Sequence, residues 1–319
     1  MEVYLGKSQD LVTAKFEIGN CWRLRMATTV SSAFEQFKQN LEPTGLQKEV
    51  ISKRQNAVRD VVATDLLVEE DFLTGSYARS TMIAPLSEAD VDIFFVLNSK
   101  YYYQYANGLN GGQAGLLDLV KRTLKKTYTK TPDISRNGQA VTIRFQDFQV
   151  DVVPGFARQG GGYFIADAIG QKWIETDPKK HVEIFSDANK WHNGNLVPLI
   201  KMIKRWNVNS GQFFRSFHLE VLALQILTNV TISDFPSGIR FFFGKAISLI
   251  QQINPDPAGY GSNIGAYLNT RSNIITATNK MNLAYQDAIK AEELGKQFYA
   301  TDAINQWRTI FGDYFPAYG

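Results

Sequence analysis

The sequence predicts an α+β protein, a small mixed lobe of strands and helices followed by a lobe built of helices alone. Three observations predict it. Between Asp71 and Phe156 the chain has short β-rich runs, VDIFFVL, AVTIRF and FQVDVVPGF, around one amphipathic helix. From NLVPLIKMIKRWN onward the apolar spacing is helical. Ahead of both, residues 28–67 are mostly polar with apolar residues at helical spacing, among them Phe34, Phe37, Leu41, Ile51, Val58 and Val62, so long helices are expected to brace the lobes. Texture alone places the first lobe at 1–190 and the helical lobe at 191–319.

The elements follow in order. VDIFFVL is almost wholly apolar, as a strand buried on both faces must be, so its acids Asp90 and Asp92 belong at the exposed end of a sheet. GLLDLVKRTLKKTY reads as a helix with Leu116, Leu117, Val120 and Leu124 on one face. In FQVDVVPGF, Phe148, Val150 and Val152 share one face, and Gln149 and Asp151 the other. Residues 157–190 are mixed around a Gly-rich turn, QGGGYF. In the helical half, Leu196, Leu199, Ile200, Ile203 and Trp206 form a buried stripe with Lys204 at its margin. Residues 252–280, rich in Asn, Pro, Gly and Ser, carry no motif.

Composition excludes several classes. Of 319 residues, 44% are hydrophobic and 20% charged, as in an ordinary globular protein, and a net charge of +3 is too small to argue for nucleic acid. Cys21 is the only cysteine, which rules out an intrachain disulfide and a thiolate zinc cluster. His181, His192 and His218 are the only histidines, and none pair at metal-ligand spacing. No apolar run reaches about 18 residues, and MEVYLGKSQD lacks the basic-then-apolar order of a signal peptide. The expectation is a cytoplasmic protein with no membrane span.

Asp90 and Asp92 point to one face of their strand, where like charges repel unless a cation lies between them. Asp151, 59 residues beyond Asp92, joins them if the two strands are neighbours. Three converging carboxylates would bind hard divalent cations, and two Mg²⁺ about 3.5–4 Å apart suit in-line phosphoryl displacement. Solvated strand-end acids account for a lone Asp-x-Asp equally well. Upstream, Gly75-Ser76 at a loop entering a helix offers close backbone approach and a hydroxyl to phosphate, or simply a serine-capped turn. Arg79 follows within one turn, suited to phosphate oxygens or to an ordinary surface place.

Gly75-Ser76, thirteen intervening residues, Asp90-Val91-Asp92 and the later Asp151 together resemble the nucleotidyltransferase superfamily related to DNA polymerase β. GSYARST, DVDIFFVL and VDVVPGF look most like its bacterial cyclic-oligonucleotide synthases, the CD-NTases, relatives of cyclic GMP-AMP synthase and oligoadenylate synthase. The resemblance covers the chain from its first long helix to about residue 250 and implies a polymerase β-like core with the active site between the lobes. It implies that Asp90, Asp92 and Asp151 bind two Mg²⁺, or Mn²⁺ in their place, with Asp151 nearest the attacking hydroxyl. Gly75 and Ser76 would hold the donor's phosphates, with Arg79, Lys204 and Ser216 as further nucleotide contacts, and Phe217 would stack a base. Read without the resemblance, Lys204 is a margin cation that leans across a cleft or, more simply, a solvated helix residue, and Phe217 is a core anchor.

Three functions follow: a cyclic di- or trinucleotide synthase, a linear-product nucleotidyltransferase, and a non-catalytic nucleotide- or RNA-binding relative. The presence of all three acids favours an enzyme, and the GSYARST and SFHLE stretches favour the cyclic synthase. Its substrates would be NTPs, and its product would activate a separate effector in antiphage signalling. The zinc-binding insertion of the animal sensor has no counterpart, which argues against sensing long duplex DNA. The chain closes on IFGDYFPAYG, where Pro316 would stop a helix and leave Ala317, Tyr318 and Gly319 free. As in some relatives, a partner resembling ubiquitin-activating machinery would then act on the carboxylate of Gly319; a frayed end is the plainer account.

Overall fold

The structure, a computed structural model, describes residues 27–129 and 133–319; Cys21 and the first residues lie outside them. The first half runs α1 (Val30–Asn40), α2 (Gly45–Asp65), β1 (Val68–Thr74), the single-turn α3 (Gly75–Ala78), β2 (Asp90–Leu97), α4 (Ser99–Tyr105) and α5 (Gly112–Thr127). Five strands follow: β3 (Asp133–Arg136), β4 (Val141–Arg144), β5 (Gln149–Ala157), β6 (Tyr163–Asp167) and β7 (Lys172–Thr176). The remainder is helical: α6 (Pro178–Trp191), α7 (Leu196–Asn209), α8 (Ser216–Leu227), α9 (Phe235–Leu249), α10 (Arg271–Lys296) and α11 (Ala300–Phe311). This is the expected α+β plan.

The two bracing helices divide their labour. Both begin with capping boxes, Thr29 with Ser32 and Thr44 with Gln47, which satisfy the first free amides reciprocally. Phe34 and Phe37 of α1 enter the helical lobe, where Phe34 meets Trp307 at 5.0 Å and Phe37 meets Phe311 at 4.6 Å between ring centres. Ile51, Val58 and Val62 of α2 pack instead under the sheet with Leu116, Leu117, Val120 and Leu124 of α5. Phe185 of α6 joins the helical core as well. The cores therefore divide the chain differently from its texture, because α1 and Phe185 of α6 precede residue 190 yet pack with the second lobe.

The sheet runs β1-β2-β5-β4-β3, with β6 beside the far half of β5 and β7 beyond it. β2 and β5 are parallel; the other ladders are antiparallel. Along β5, residues 149–152 pair with β4 and residues 155–157 with β6. Gly155 is required there, since a Cβ would lie 2.4 Å from Cζ of Phe94, whose ring stacks on Phe72.

Residues 252–270, silent in the sequence, touch both lobes: the Arg158 guanidinium, just after β5, lies 5.8 Å from the Tyr260 ring centre, and the Arg215 N–H donates to Tyr267 OH at 3.1 Å. Asp256 is buried; it bonds to His181 Nε2 of α6 at 2.5 Å and accepts the Gly261 N–H at 2.8 Å. Burial alone would raise its pKa, but these bonds hold it below the usual carboxylate range. From Arg271 the same stretch becomes α10.

The tail departs from expectation. α11 ends at Gly312, whose φ of +70° a side chain would strain and whose Cβ would meet Asn209 Oδ1 at 2.5 Å. Pro316 lies beyond that stop and is itself buried. Ala317, Tyr318 and Gly319 are not free: the Ala27 N–H donates to Ala317 O at 3.0 Å, and the Gly319 N–H donates to Ala27 O at 3.3 Å. Among the described residues no helix is long and apolar enough to cross a membrane.

Candidate active site

The parallel ladder brings the acids together. Asp92 stands opposite Asp151 and Asp90 opposite Gln149, so Asp92 and Asp151 project to one side of neighbouring strands. Both are half-buried, whereas Asp90, first in its strand, is exposed and accepts a hydrogen bond from the Gln149 side-chain amide. On the other flank of β5, Thr142 pairs with Asp151, and Asn137 donates to Thr142 Oγ1 at 2.9 Å.

Charge at this end of the sheet is uncompensated. Burial pushes the Asp92 carboxyl up to about 7, with repulsion from Asp151 and Asp90 adding to it and Arg79 and Lys204 opposing. Burial likewise raises Asp151, joined by Asp90 and opposed by hydrogen bonds from Thr142 and Asn137. It raises Asp90 too, against the bond from Gln149 and the pull of Lys204 and Arg144. Asp151 Oδ1 is buried with no hydrogen-bond partner.

The expected convergence of three carboxylates is incomplete. Among the described residues no three His, Cys, Asp or Glu side chains are gathered closely enough to hold an ion as they stand. Asp90 is drawn to Gln149, and like charges spread apart. The donor set still fits a hard divalent cation: paired carboxylates, raised proton affinities and an oxygen with no protein partner.

The Gly-Ser turn is fitted to Asp92. Thr74 pairs with Asp92 across β1 and β2, and Gly75 follows with φ of +64°. A Cβ on Gly75 would lie 1.7 Å from Asp92 Oδ2, so only glycine lets the backbone approach that carboxylate. Ser76 O accepts from Thr81 N at 2.9 Å and Met82 N at 3.1 Å, which closes the turn. α3 is a single turn, so backbone geometry rather than a helix dipole is what this segment offers a phosphate.

Lys204 and Arg79 are placed unlike a solvated or surface cation. Lys204 is buried in α7, donating to Thr81 O at 2.8 Å and to Glu220 Oε1 at 3.1 Å. Arg79 Nε donates to Glu220 Oε2 at 2.8 Å, and its guanidinium lies 4.8 Å from the Phe217 ring centre. Glu220 of α8 is fully buried; burial opposes its charge, but Lys204 and Arg79 lower its pKa to about 2. Ser216, first in α8, is exposed, and Phe217 is half-buried with the edge of His181 against it at 5.0 Å.

Sequence reasoning passed over Glu220, Thr142 and Asp256, and gave Gln149 a strand face but no role. Glu220 had a signal, as the one charged residue in the largely apolar run LEVLALQIL. The other three are ordinary polar residues until the strand register and the fold set them beside Asp151, Asp90 and His181.

Comparison with known proteins identifies the family. Residues 28–189 match the family described as Second Messenger Oligonucleotide or Dinucleotide Synthetase domain. The cyclic AMP-AMP-AMP synthase of Acinetobacter is 26% identical, over 90% of this chain and 86% of the relative. A probable cyclic nucleotide synthase of Bacillus cereus is also 26% identical, over 76% of this chain and 81% of the relative. In fold, the chain resembles the Bradyrhizobium diazoefficiens CD-NTase CdnG solved with GTP, with a TM-score of 0.68 at 14% identity, covering 88% of this chain and 95% of that one. A Gly-Ser turn pressed on a strand aspartate, beside a second aspartate in parallel register, is thus held within a matching sequence and fold, and the chain belongs to the second messenger oligonucleotide or dinucleotide synthetase family as a bacterial CD-NTase, a nucleotidyltransferase that makes cyclic oligonucleotides.

Proposed function

We propose that the protein condenses two or three NTPs into a cyclic oligonucleotide, releasing pyrophosphate at each step. The observation that carries this reading is the parallel register of Asp92 and Asp151 beneath the Gly75 turn. Asp90, Asp92 and Asp151 would hold two Mg²⁺, with Mn²⁺ as an alternative. Bound there, the ions would neutralise the triphosphate and lower the pKa of the attacking hydroxyl. The protein's own share is placement. Asp151, through its unpartnered Oδ1, orients the 2′- or 3′-hydroxyl and takes its proton. The hydroxyl oxygen bonds to the α-phosphorus as the bond to pyrophosphate breaks. The turn at Gly75 and Ser76, with Lys204 and Ser216, holds the β- and γ-phosphates. Arg79 supports the nucleotide from beneath Phe217 rather than by open contact with phosphate.

The wider setting is part of the same reading: a cytoplasmic enzyme whose product switches on an effector in antiphage, CBASS-type defence. A partner joining Gly319 to a target would first have to release the tail from Ala27. The direct test incubates the protein with four NTPs and Mg²⁺ and examines the products. Phosphatase-resistant species with the mass of a ring support the proposal; a phosphatase-sensitive ladder replaces it with linear synthesis.

A further inference from the structure

One carboxylate ties together every element expected to grip the triphosphate. Glu220 gives each oxygen its own cation, Oε2 to Arg79 Nε at 2.8 Å and Oε1 to Lys204 Nζ at 3.1 Å. Arg79 lies directly after α3, the turn that carries Gly75 and Ser76. Lys204 is bonded in addition to Thr81 O, whose amide closes that same turn. Glu220 lies one helical turn after Ser216 on the same face of α8. All three charged side chains are nearly inaccessible, at 8% for Arg79, 6% for Lys204 and 0% for Glu220. An ammonium has three N–H donors, and Glu220 and Thr81 fix two of them, leaving one for a phosphate oxygen.

We infer that Glu220 is a positioning residue for the nucleotide, holding the Lys204 ammonium beside the Gly75–Thr81 turn and the Arg79 guanidinium beneath Phe217 before substrate arrives. The inference rests on the reading that Lys204 contacts the triphosphate. Without Glu220 the two cations, buried side by side, would repel each other, and Lys204 would lose its fixed direction. With it, the grip is preorganised and no rearrangement is needed when nucleotide binds.

The test is a double-mutant cycle on the full chain, read by calorimetric titration with ATP and Ca²⁺ and by steady-state kinetics with Mg²⁺. Lys204→Gln and Glu220→Gln should each weaken ATP binding about tenfold, the scale of a hydrogen bond to a charged group. The double variant should lose clearly less than the sum of the two single losses, because Glu220 acts in large part through the lysine. In Glu220→Gln, KM should rise while kcat stays within about twofold, a split that a loss of folded protein does not produce. Additive losses, or unchanged affinity in Glu220→Gln, overturn the inference. Unchanged affinity in Lys204→Gln removes the grip reading itself and this inference with it. Should Glu220→Gln fail to fold, Glu220→Asp retains the charge with a shorter reach. Weaker ATP binding by its folded fraction then supports the role, and unchanged affinity overturns it.

Discussion

The molecule holds two clusters of charge, and they are built on opposite plans. At the start of β2 and β5, three acids share a sheet end; burial raises their pKa values, repulsion adds to it at Asp92 and Asp151, Asp92 rises to about 7, and Asp151 Oδ1 has no partner. Between α7 and α8, one acid sits between two cations, its pKa lowered to about 2 and both oxygens bonded. The first cluster is short of positive charge, and in the second the acid has a complete set of partners. The contrast separates a place that must accept something from a place that must stay as it is. Burial is deepest in the complete cluster, where Glu220 is fully inaccessible.

The largest expected effect lies in the incomplete cluster. Asp90→Asn together with Asp92→Asn should lower turnover at least about a thousandfold, since the ions' charge stabilisation is worth several kcal/mol. The fold should persist, because removing like charges relieves repulsion. Product formation and thermal melting in EDTA measure the two sides, and near-normal turnover would remove the distinction.

The complete cluster should respond the other way. Glu220→Ala leaves two buried cations facing each other and should cost about 3–5 kcal/mol of stability. Its pH dependence has a definite sign. With a folded pKa near 2 against an ordinary value of 4.5, Glu220 contributes stability that is full above about pH 4.5 and lost as pH falls toward 2. Denaturant unfolding of Glu220→Gln should therefore depend less steeply on pH across that window than the parent does; equal slopes would contradict the lowered pKa.

The smallest effect is at the border between the clusters. Phe217→Ala should weaken nucleotide binding by about 1–3 kcal/mol if the ring stacks a base, while Phe217→Tyr should be tolerated. Phe217 also covers the Arg79 guanidinium at 4.8 Å. A lower melting temperature with unchanged affinity in the folded fraction would assign the ring to that packing instead.

The two clusters also differed in how far they could be read from the chain. Asp90, Asp92 and Asp151 stand out because strand alternation places them and because acids beside VDIFFVL need a reason. Their neighbourhood required only that two strands be adjacent, and β2 and β5 are. What the sequence did not reveal was their splay, since the Gln149 amide that holds Asp90 is an ordinary polar group until the register is known. Lys204 was placed on the right helix but at a solvated margin, because periodicity describes one helix and not the turn that closes over it. The β1 run, VEEDFLT, is too acidic and too exposed to announce a strand, as suits a sheet edge. The tail was misread for a similar reason: its partner is Ala27, at the opposite end of the described chain.

The span of the contacts around Glu220 has a consequence for how the protein is made. Arg79 and Glu220 are 141 residues apart, and Lys204 and Thr81 are 123 apart. Bonds of that reach carry a loop-closure cost that local helices do not, so they belong to the late steps of folding. During synthesis, which exposes the N-terminal part first, the strands bearing Asp92 and Asp151 emerge before α7 and α8 exist. Until α8 docks, a nascent or truncated chain can display its acids but has no assembled grip, so an unfinished copy would be silent.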